Sequence, residues 1–246
     1  MQNFSNYDLI LAAGNQNLYQ AAVLIASAVG SWLILRDSKA WPLDPAQKRS
    51  IFICALLGSL AGAALPAFFA GEFVEWQAEH YFVGPKTIIG GLLFSFFSVA
   101  VYKRAAGIAY DTSDAFARGC AIMMAIGRLG CFAGHCCFGI PVKFGGMDFG
   151  DGVPRIPVQL IEALFLFVLF IAVNELHRKD LYRGRRLFIL FFVYGLGRFF
   201  LEFLREPIAG SFVGLGYYQW LAFFLAGVGA FQLIVRAHRI SKASTH

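Results

Sequence analysis

The run LFILFFVYGLGRFFL, residues Leu187–Leu201, holds a single charge, Arg198, in an otherwise uncharged apolar stretch. A second run, GCAIMMAIGRLGC at Gly119–Cys131, repeats the arrangement around Arg128. An ionised side chain inside a bilayer-length apolar segment costs several kcal/mol unless it is paired, hydrated or close to the interface. Two guanidiniums in separate apolar segments suggest one internal anionic site. The planar fork of donors on arginine matches carboxylate or phosphate.

Outward from these runs, the whole chain is apolar. Its 246 residues are 58% hydrophobic and 15% charged, with a mean hydropathy of +0.62, unlike an ordinary soluble domain. Runs of roughly spanning length, about 20 residues each, lie at Leu18–Leu35, Ile51–Ala70, Thr87–Tyr102, Ala115–Ala133, Ile156–Val173, Leu187–Leu204 and Val213–Val235. They predict an all-α, polytopic membrane bundle of about seven transmembrane helices, forming one domain over residues 1–246. Met1–Asn17 lacks a basic start and contains Asp8, so no cleavable signal peptide is expected.

Charge predicts the orientation. Cations cluster after the first run (Arg36, Lys39, Lys48, Arg49), the third (Lys103, Arg104), the fifth (Arg178, Lys179, Arg183, Arg185, Arg186) and the last (Arg236, Arg239, Lys242). The alternate segments are poor in cations, and Glu72–Pro85 is acidic. By the positive-inside rule the amino terminus lies outside and the carboxyl terminus in the cytoplasm. The net charge of +6 is accounted for by this bias, so nucleic acid is not an expected partner.

Within the runs, Gly58 and Gly62 form a face for close helix approach. Asp111–Asp114 (DTSD) offers caps for the fourth helix through Thr112, Ser113 or Asp114. The glycine-rich GRLGCFAGHCCFG, Gly127–Gly139, is expected to loosen that helix's outer end. Pro157 suits a first helical turn, and Gln159 and Glu162 follow on one face. Tyr194, Arg198, Glu202 and Arg205 form one stripe, in which Glu202 can pair with either arginine.

Arg128 and Arg198 therefore sit near the outer ends of their helices and can share one depth. Two readings follow: a cationic pocket for a phospholipid headgroup, or an interhelical ion pair that holds the bundle together.

At these residues the chain resembles a family. GRLGCFAGHCCFG resembles the prolipoprotein diacylglyceryl transferase signature, close to GRxGNFxNxExxG, and YGLGRFFLEFLREP at Tyr194–Pro207 is similar to that family's late-helix pattern. Gly90-Gly91, the capped start near Asp114 and Pro157-Val158-Gln159-Leu160 with Glu162 add to the resemblance, which covers about Lys86 to Pro207.

The resemblance implies an enzyme of the bacterial inner membrane. It would move the diacylglyceryl group of phosphatidylglycerol to the lipobox cysteine of secreted prolipoprotein precursors, with membrane lipids as its surroundings. Arg128, Arg198, Glu202 and Tyr194 would be catalytic. Arg128, Arg198, Arg205, Gly90, Gly91, Gly139, Gln159 and Glu162 would bind substrate, with no metal or soluble cofactor. The alternative is a phospholipid-binding relative that is non-catalytic or uses another acceptor.

The chain departs from the family at defined positions. The histidine that commonly precedes the Gly-Gly pair is Ile89, and the motif's two asparagines and glutamate are Cys131, Gly134 and Cys136. Ile156 stands where histidine or tyrosine often precedes the proline. His135 is a candidate replacement proton acceptor. Cys131, Cys136 and Cys137 cluster in sequence, while Cys54 and Cys120 read as buried. Packing or a disulfide from Cys131 to Cys136 or Cys137 is the leading expectation for the cluster. The adjacency of Cys136 and Cys137 fits no standard zinc spacing. The carboxylates of DFGDG, Asp148–Gly152, read as a turn rather than a calcium loop.

Overall fold

The computed structural model describes residues 14–69, 87–205 and 211–243. The acidic stretch Glu72–Pro85, Pro207 and the first thirteen residues lie outside them. Helices α1 (Gln16–Ser38), α2 (Pro45–Phe69), α3 (Ile88–Ala105), α4 (Ser113–Ala133), α5 (Val158–Arg178), α6 (Arg186–Leu201) and α7 (Tyr217–Ala243) make up the bundle. All seven contain segments long and apolar enough to cross a membrane, and the protein is a multi-pass membrane protein. Two short hairpins cap one end: β1 (Met147–Asp148) with β2 (Pro154–Arg155), and β3 (Ser211–Phe212) with β4 (Leu215–Gly216).

Local chemistry sets the helix boundaries. Asn15 caps α1, its Oδ1 accepting from Leu18 N at 3.0 Å. Asp44 and Gln47 form a reciprocal capping box, Gln47 N to Asp44 Oδ1 at 2.7 Å and Asp44 N to Gln47 Oε1 at 3.3 Å. Pro45 then occupies the first helical position, so α2 begins before the expected Ile51. Helix α5 starts at Val158, with Pro157 just outside it as the cap. The expected seventh run began at Val213, but the β3–β4 hairpin intervenes and α7 starts at Tyr217.

Packing is organised by pairs: α1 on α4, α2 on α3, α4 on α5 and α6 on α7. The predicted glycine face is present. A Cβ on Gly58 would lie 2.6 Å from the Phe94 carbonyl oxygen, a contact that only a bare backbone allows. Gly195 and Gly229 admit α7 and α6 to each other in the same way. The core joins Ala117, Ala121, Leu166, Phe188, Leu190, Phe191 and Tyr194. Outward, Leu24, Leu56, Leu164 and Val101 are exposed, as suits side chains facing hydrocarbon rather than water.

The end rich in cations is tied by ion pairs. Arg118 bridges α1 and α5 through Asp37 and Asn174 Oδ1, the latter at 3.0 Å. None of the expected caps, Thr112, Ser113 or Asp114, bonds the first turn of α4 with its side chain; Asp111, just before them, accepts from Ser113 N through Oδ1 at 2.9 Å. Asp114 instead reaches across to Gly184 N (2.6 Å) and Arg186 N (3.0 Å), fixing the start of α6. Burial pushes the Asp111 carboxyl up, but the hydrogen bond and charge of Arg236 outweigh it and hold the group below its ordinary value.

Candidate functional site

The opposite end carries the chemistry. Arg128 comes from the last turns of α4, Gln159 and Glu162 from the first turns of α5, and Tyr194 and Arg198 from the end of α6. Glu202 begins a 3₁₀ turn, Glu202–Leu204, and Arg205 follows in extended backbone. The stripe predicted on one helix is thus continued by a tightened turn.

Glu162, 1% exposed, is the hub. Its Oε1 accepts from the Tyr194 hydroxyl at 2.9 Å. Its Oε2 lies 3.0 Å from Arg128 Nε and 3.7 Å from Arg198 Nη1. Arg198 Nη2 meets Glu202 Oε2 at 2.6 Å, and Arg205 Nη1 lies 3.7 Å from the same oxygen. The result is one alternating chain: Arg128, Glu162, Arg198, Glu202, Arg205. Glu202 does join the two arginines, as expected. Glu162, assigned to substrate binding from the resemblance, is also the link between α4 and α6.

Three guanidiniums against two carboxylates leave the chain one positive charge in excess. Arg128 Nε and Arg198 Nη1 approach Glu162 off the hydrogen-bond axis and are buried donors without a hydrogen bond. Buried donors of this kind are uncommon, and Glu202 Oε2, a buried acceptor of the same chain, likewise has no hydrogen bond.

The remaining predicted residues are placed in different ways. Gln159 is buried, its Nε2 donating to the Cys136 carbonyl at 2.6 Å. Gly139 is zipped into backbone: Gly139 N donates to Ile156 O at 2.8 Å and Ile140 N to Leu204 O at 2.9 Å. Gly90 and Gly91 are buried at the start of α3, where a Cβ on Gly91 would meet Ser59 of α2. Ile89, 2% exposed, belongs to the same apolar core as Tyr194.

His135 Nδ1 lies 2.8 Å from the Phe149 carbonyl, and its ring packs edge-on against Phe149. A carbonyl only accepts, so Nδ1 carries the proton and Nε2 is the basic nitrogen of the neutral ring. The hairpin carboxylates are committed locally. Asp148 Oδ1 accepts from Gly150 N and Gly152 N, and Asp151 pairs with Arg155. Although burial pushes Asp151 up, the Arg155 hydrogen bond outweighs it and keeps the carboxyl below its ordinary value. DFGDG is a turn.

The glycine-rich segment does not loosen α4, which runs unbroken to Ala133. It ends in a Schellman-type cap: Cys136 N donates to Cys131 O at 3.0 Å and His135 N to Phe132 O at 3.1 Å. His135 takes the left-handed φ of 52° this cap needs, and Cys137 repeats it at 61°. This folding back brings the Cys131, Cys136 and Cys137 sulfurs within 4.8 Å of one another. All five cysteines are free thiols, and Cys54 and Cys120 are half-buried rather than buried. Neither the convergence nor the Arg118–Asp37 pair is visible in sequence spacing. A cavity of about 380 Å³ lies toward the other end, lined by Phe96, Lys103, Arg104 and Arg236 among others.

A sequence model described as prolipoprotein diacylglyceryl transferase matches residues 11–235. A phosphatidylglycerol–prolipoprotein diacylglyceryl transferase of Leifsonia xyli is 33% identical over 171 residues, 63% of this chain and 51% of that protein. One of Clostridium perfringens is 30% identical over 122 residues, 47% and 48% of the two chains. One of Paenarthrobacter aurescens is 26% identical over 257 residues, 92% and 80%. The chain thus spans about half the length of the first two relatives. With 225 of its positions inside the matched region, the chain belongs to the prolipoprotein diacylglyceryl transferase family.

Proposed function

We propose that this chain transfers the diacylglyceryl group of phosphatidylglycerol to the cysteine thiol of secreted prolipoproteins. One observation carries the reading: a buried chain of charged groups with one positive charge in excess and two arginine donors unsatisfied. A phosphodiester headgroup supplies one negative charge and several acceptor oxygens, while its acyl chains stay in hydrocarbon. The relatives' names supply the donor lipid and the acceptor class.

In the reaction, the acceptor sulfur attacks the glycerol carbon that bears the phosphate ester. The carbon–sulfur bond forms as the carbon–oxygen bond breaks, and the electron pair leaves on the phosphate of the released glycerol phosphate. Arg128 holds the headgroup. Arg198, kept in place by Glu162 and Glu202, stabilises charge on the leaving phosphate with Arg205, while Tyr194 gives its one hydroxyl proton to Glu162 and so positions that carboxylate. Removing one donor from such a site costs about 3 kcal/mol of barrier. Gly90, Gly91, Gly139 and Gln159 shape the surrounding walls. His135 is the candidate acceptor of the thiol proton. Residues 1–246 act as one domain in the bacterial inner membrane, with the amino terminus outside and the arginine chain near the outer face.

Two experiments test this. Purified protein in detergent, given labelled phosphatidylglycerol and a lipobox peptide, should yield the thioether. Expression should also rescue a strain depleted of its own diacylglyceryl transferase. Lipid binding without thioether formation would replace the reading with a non-catalytic lipid-binding relative.

A further inference from the structure

Three thiols gather beside the arginine chain, two of them, Cys131 and Cys136, where the family motif has asparagine and glutamate. The Schellman-type cap lays Cys136 over Cys131, and the left-handed Cys137 returns its sulfur to the same point. A non-glycine residue in that conformation costs about 1–2 kcal/mol, and here two, His135 and Cys137, adopt it within three positions. The Cys136 carbonyl is held by buried Gln159, and Arg128 Nη1 lies 3.9 Å from Cys131 Sγ. No histidine, aspartate, glutamate or further cysteine among the described residues joins the three sulfurs. His135 is turned to Phe149.

We propose that Cys131, Cys136 and Cys137 hold one zinc ion as thiolates and leave its fourth position open to the acceptor thiol. The first half is independent of the transferase reading, and the second rests on it. Zinc–sulfur bonds of about 2.3 Å in a tetrahedron place sulfurs about 3.8 Å apart, so three sulfurs within 4.8 Å close on an ion by small side-chain movements. Three ligands with one open position is the arrangement of catalytic rather than structural zinc.

The chemistry also answers the loss of the family's histidine at Ile89. A thiol that coordinates zinc is deprotonated without a neighbouring base. Zinc displaces the protons of the three cysteines to solvent. The acceptor thiol binds fourth and loses its own proton to solvent, which takes the place of the role given to His135 above. Its sulfur then attacks the lipid carbon, the carbon–oxygen pair leaves on the phosphate, and the thioether, a weaker ligand, departs. No atom changes oxidation state by way of an external reagent.

The test uses the full chain purified in detergent under reducing conditions without chelator. Elemental analysis should find one zinc per chain, retained in C54S/C120S and reduced to about a tenth or less in C131S/C136S/C137S. Cobalt(II) substitution should give a sulfur-to-metal charge-transfer band, and a peptide with one cysteine should shift the cobalt ligand-field bands where its serine analogue does not. Size-exclusion behaviour and phosphatidylglycerol binding of the triple variant check that it folds. Zinc equally bound by the triple variant, no zinc in the parent, or a Cys131–Cys136 disulfide in the reduced preparation each overturns the proposal. A bound zinc whose spectrum ignores the cysteine peptide overturns its second half. Zinc binding without thioether formation would sink the transferase reading alone; thioether formation without zinc would sink the metal site alone.

Discussion

Arg128 of α4 and Glu162 of α5 face each other across a helix interface, Nε 3.0 Å from Oε2, with both side chains buried. Because Glu162 also lies within reach of Arg198 and accepts from Tyr194, three helices are joined at one carboxylate. The ion-pair reading and the lipid-pocket reading of the two arginines therefore describe the same residues. The pair holds the bundle, and the charge it leaves uncompensated supports the pocket.

Glu162→Gln keeps an acceptor for Tyr194 but raises the excess from one positive charge to two. Breaking a buried pair from one side costs about 3–5 kcal/mol, so the melting temperature in detergent should fall by several degrees. Phosphatidylglycerol should restore more of that loss than a zwitterionic lipid does, since an anion replaces the missing carboxylate. Equal rescue by both lipids would remove the anion site.

Arg198→Ala should reduce transfer by about a hundredfold or more, the scale for losing one donor to a developing charge. His135→Ala should reduce it by less than about tenfold, since the histidine is engaged with Phe149. Arg198→Lys should retain only part of the activity, because a point charge cannot reproduce the two-point fork. Initial rates of thioether formation with labelled phosphatidylglycerol separate the three variants. A larger effect at His135 than at Arg198 would reverse the assignment of roles.

Gly139→Ala should be poorly tolerated. Its Cβ would lie 2.6 Å from Leu204 O and 2.8 Å from Ile156 O, both backbone atoms that cannot turn aside. Gly127, only one residue before Arg128, meets nothing within 4 Å, and Gly127→Ala should leave stability unchanged or slightly improved. Thermal unfolding of the two variants beside the parent checks the contrast. Similar melting temperatures would mean that the strand-like contact at Gly139 does not hold Arg205 in place.

Single cysteines placed between Lys143 and Arg155, in a background with the native thiols replaced by serine, should react with an impermeant reagent on intact cells. Those placed at Arg183–Arg186 should react only after permeabilisation. The reverse pattern would put the arginine chain on the cytoplasmic side and end its assignment to secreted acceptors.

The spans and their membrane character were legible because the bilayer imposes a length, about 20 apolar residues, that no nearby contact has to confirm. The stripe Tyr194, Arg198, Glu202 and Arg205 was legible too, since residues three and four apart share one side of a helix by local geometry alone. The start of α7 was missed because Val213–Gly216 is apolar enough to extend a span, and only the β3–β4 pairing withdraws it. Asp114 reads locally as a cap, but its partners Gly184 and Arg186 lie about seventy positions away.

The sequence by itself determined that seven apolar helices form and that two carry an arginine near one end, because hydropathy and helical spacing act over a few turns. Only the tertiary structure decided that Glu162 of α5 sits between Arg128 and Arg198, and that three cysteines meet beside them. Which carboxylate compensates a buried cation depends on how helices pack across the bundle. Where the sulfurs point depends on two left-handed residues in the cap that ends α4. Neither has a period or a spacing along the chain.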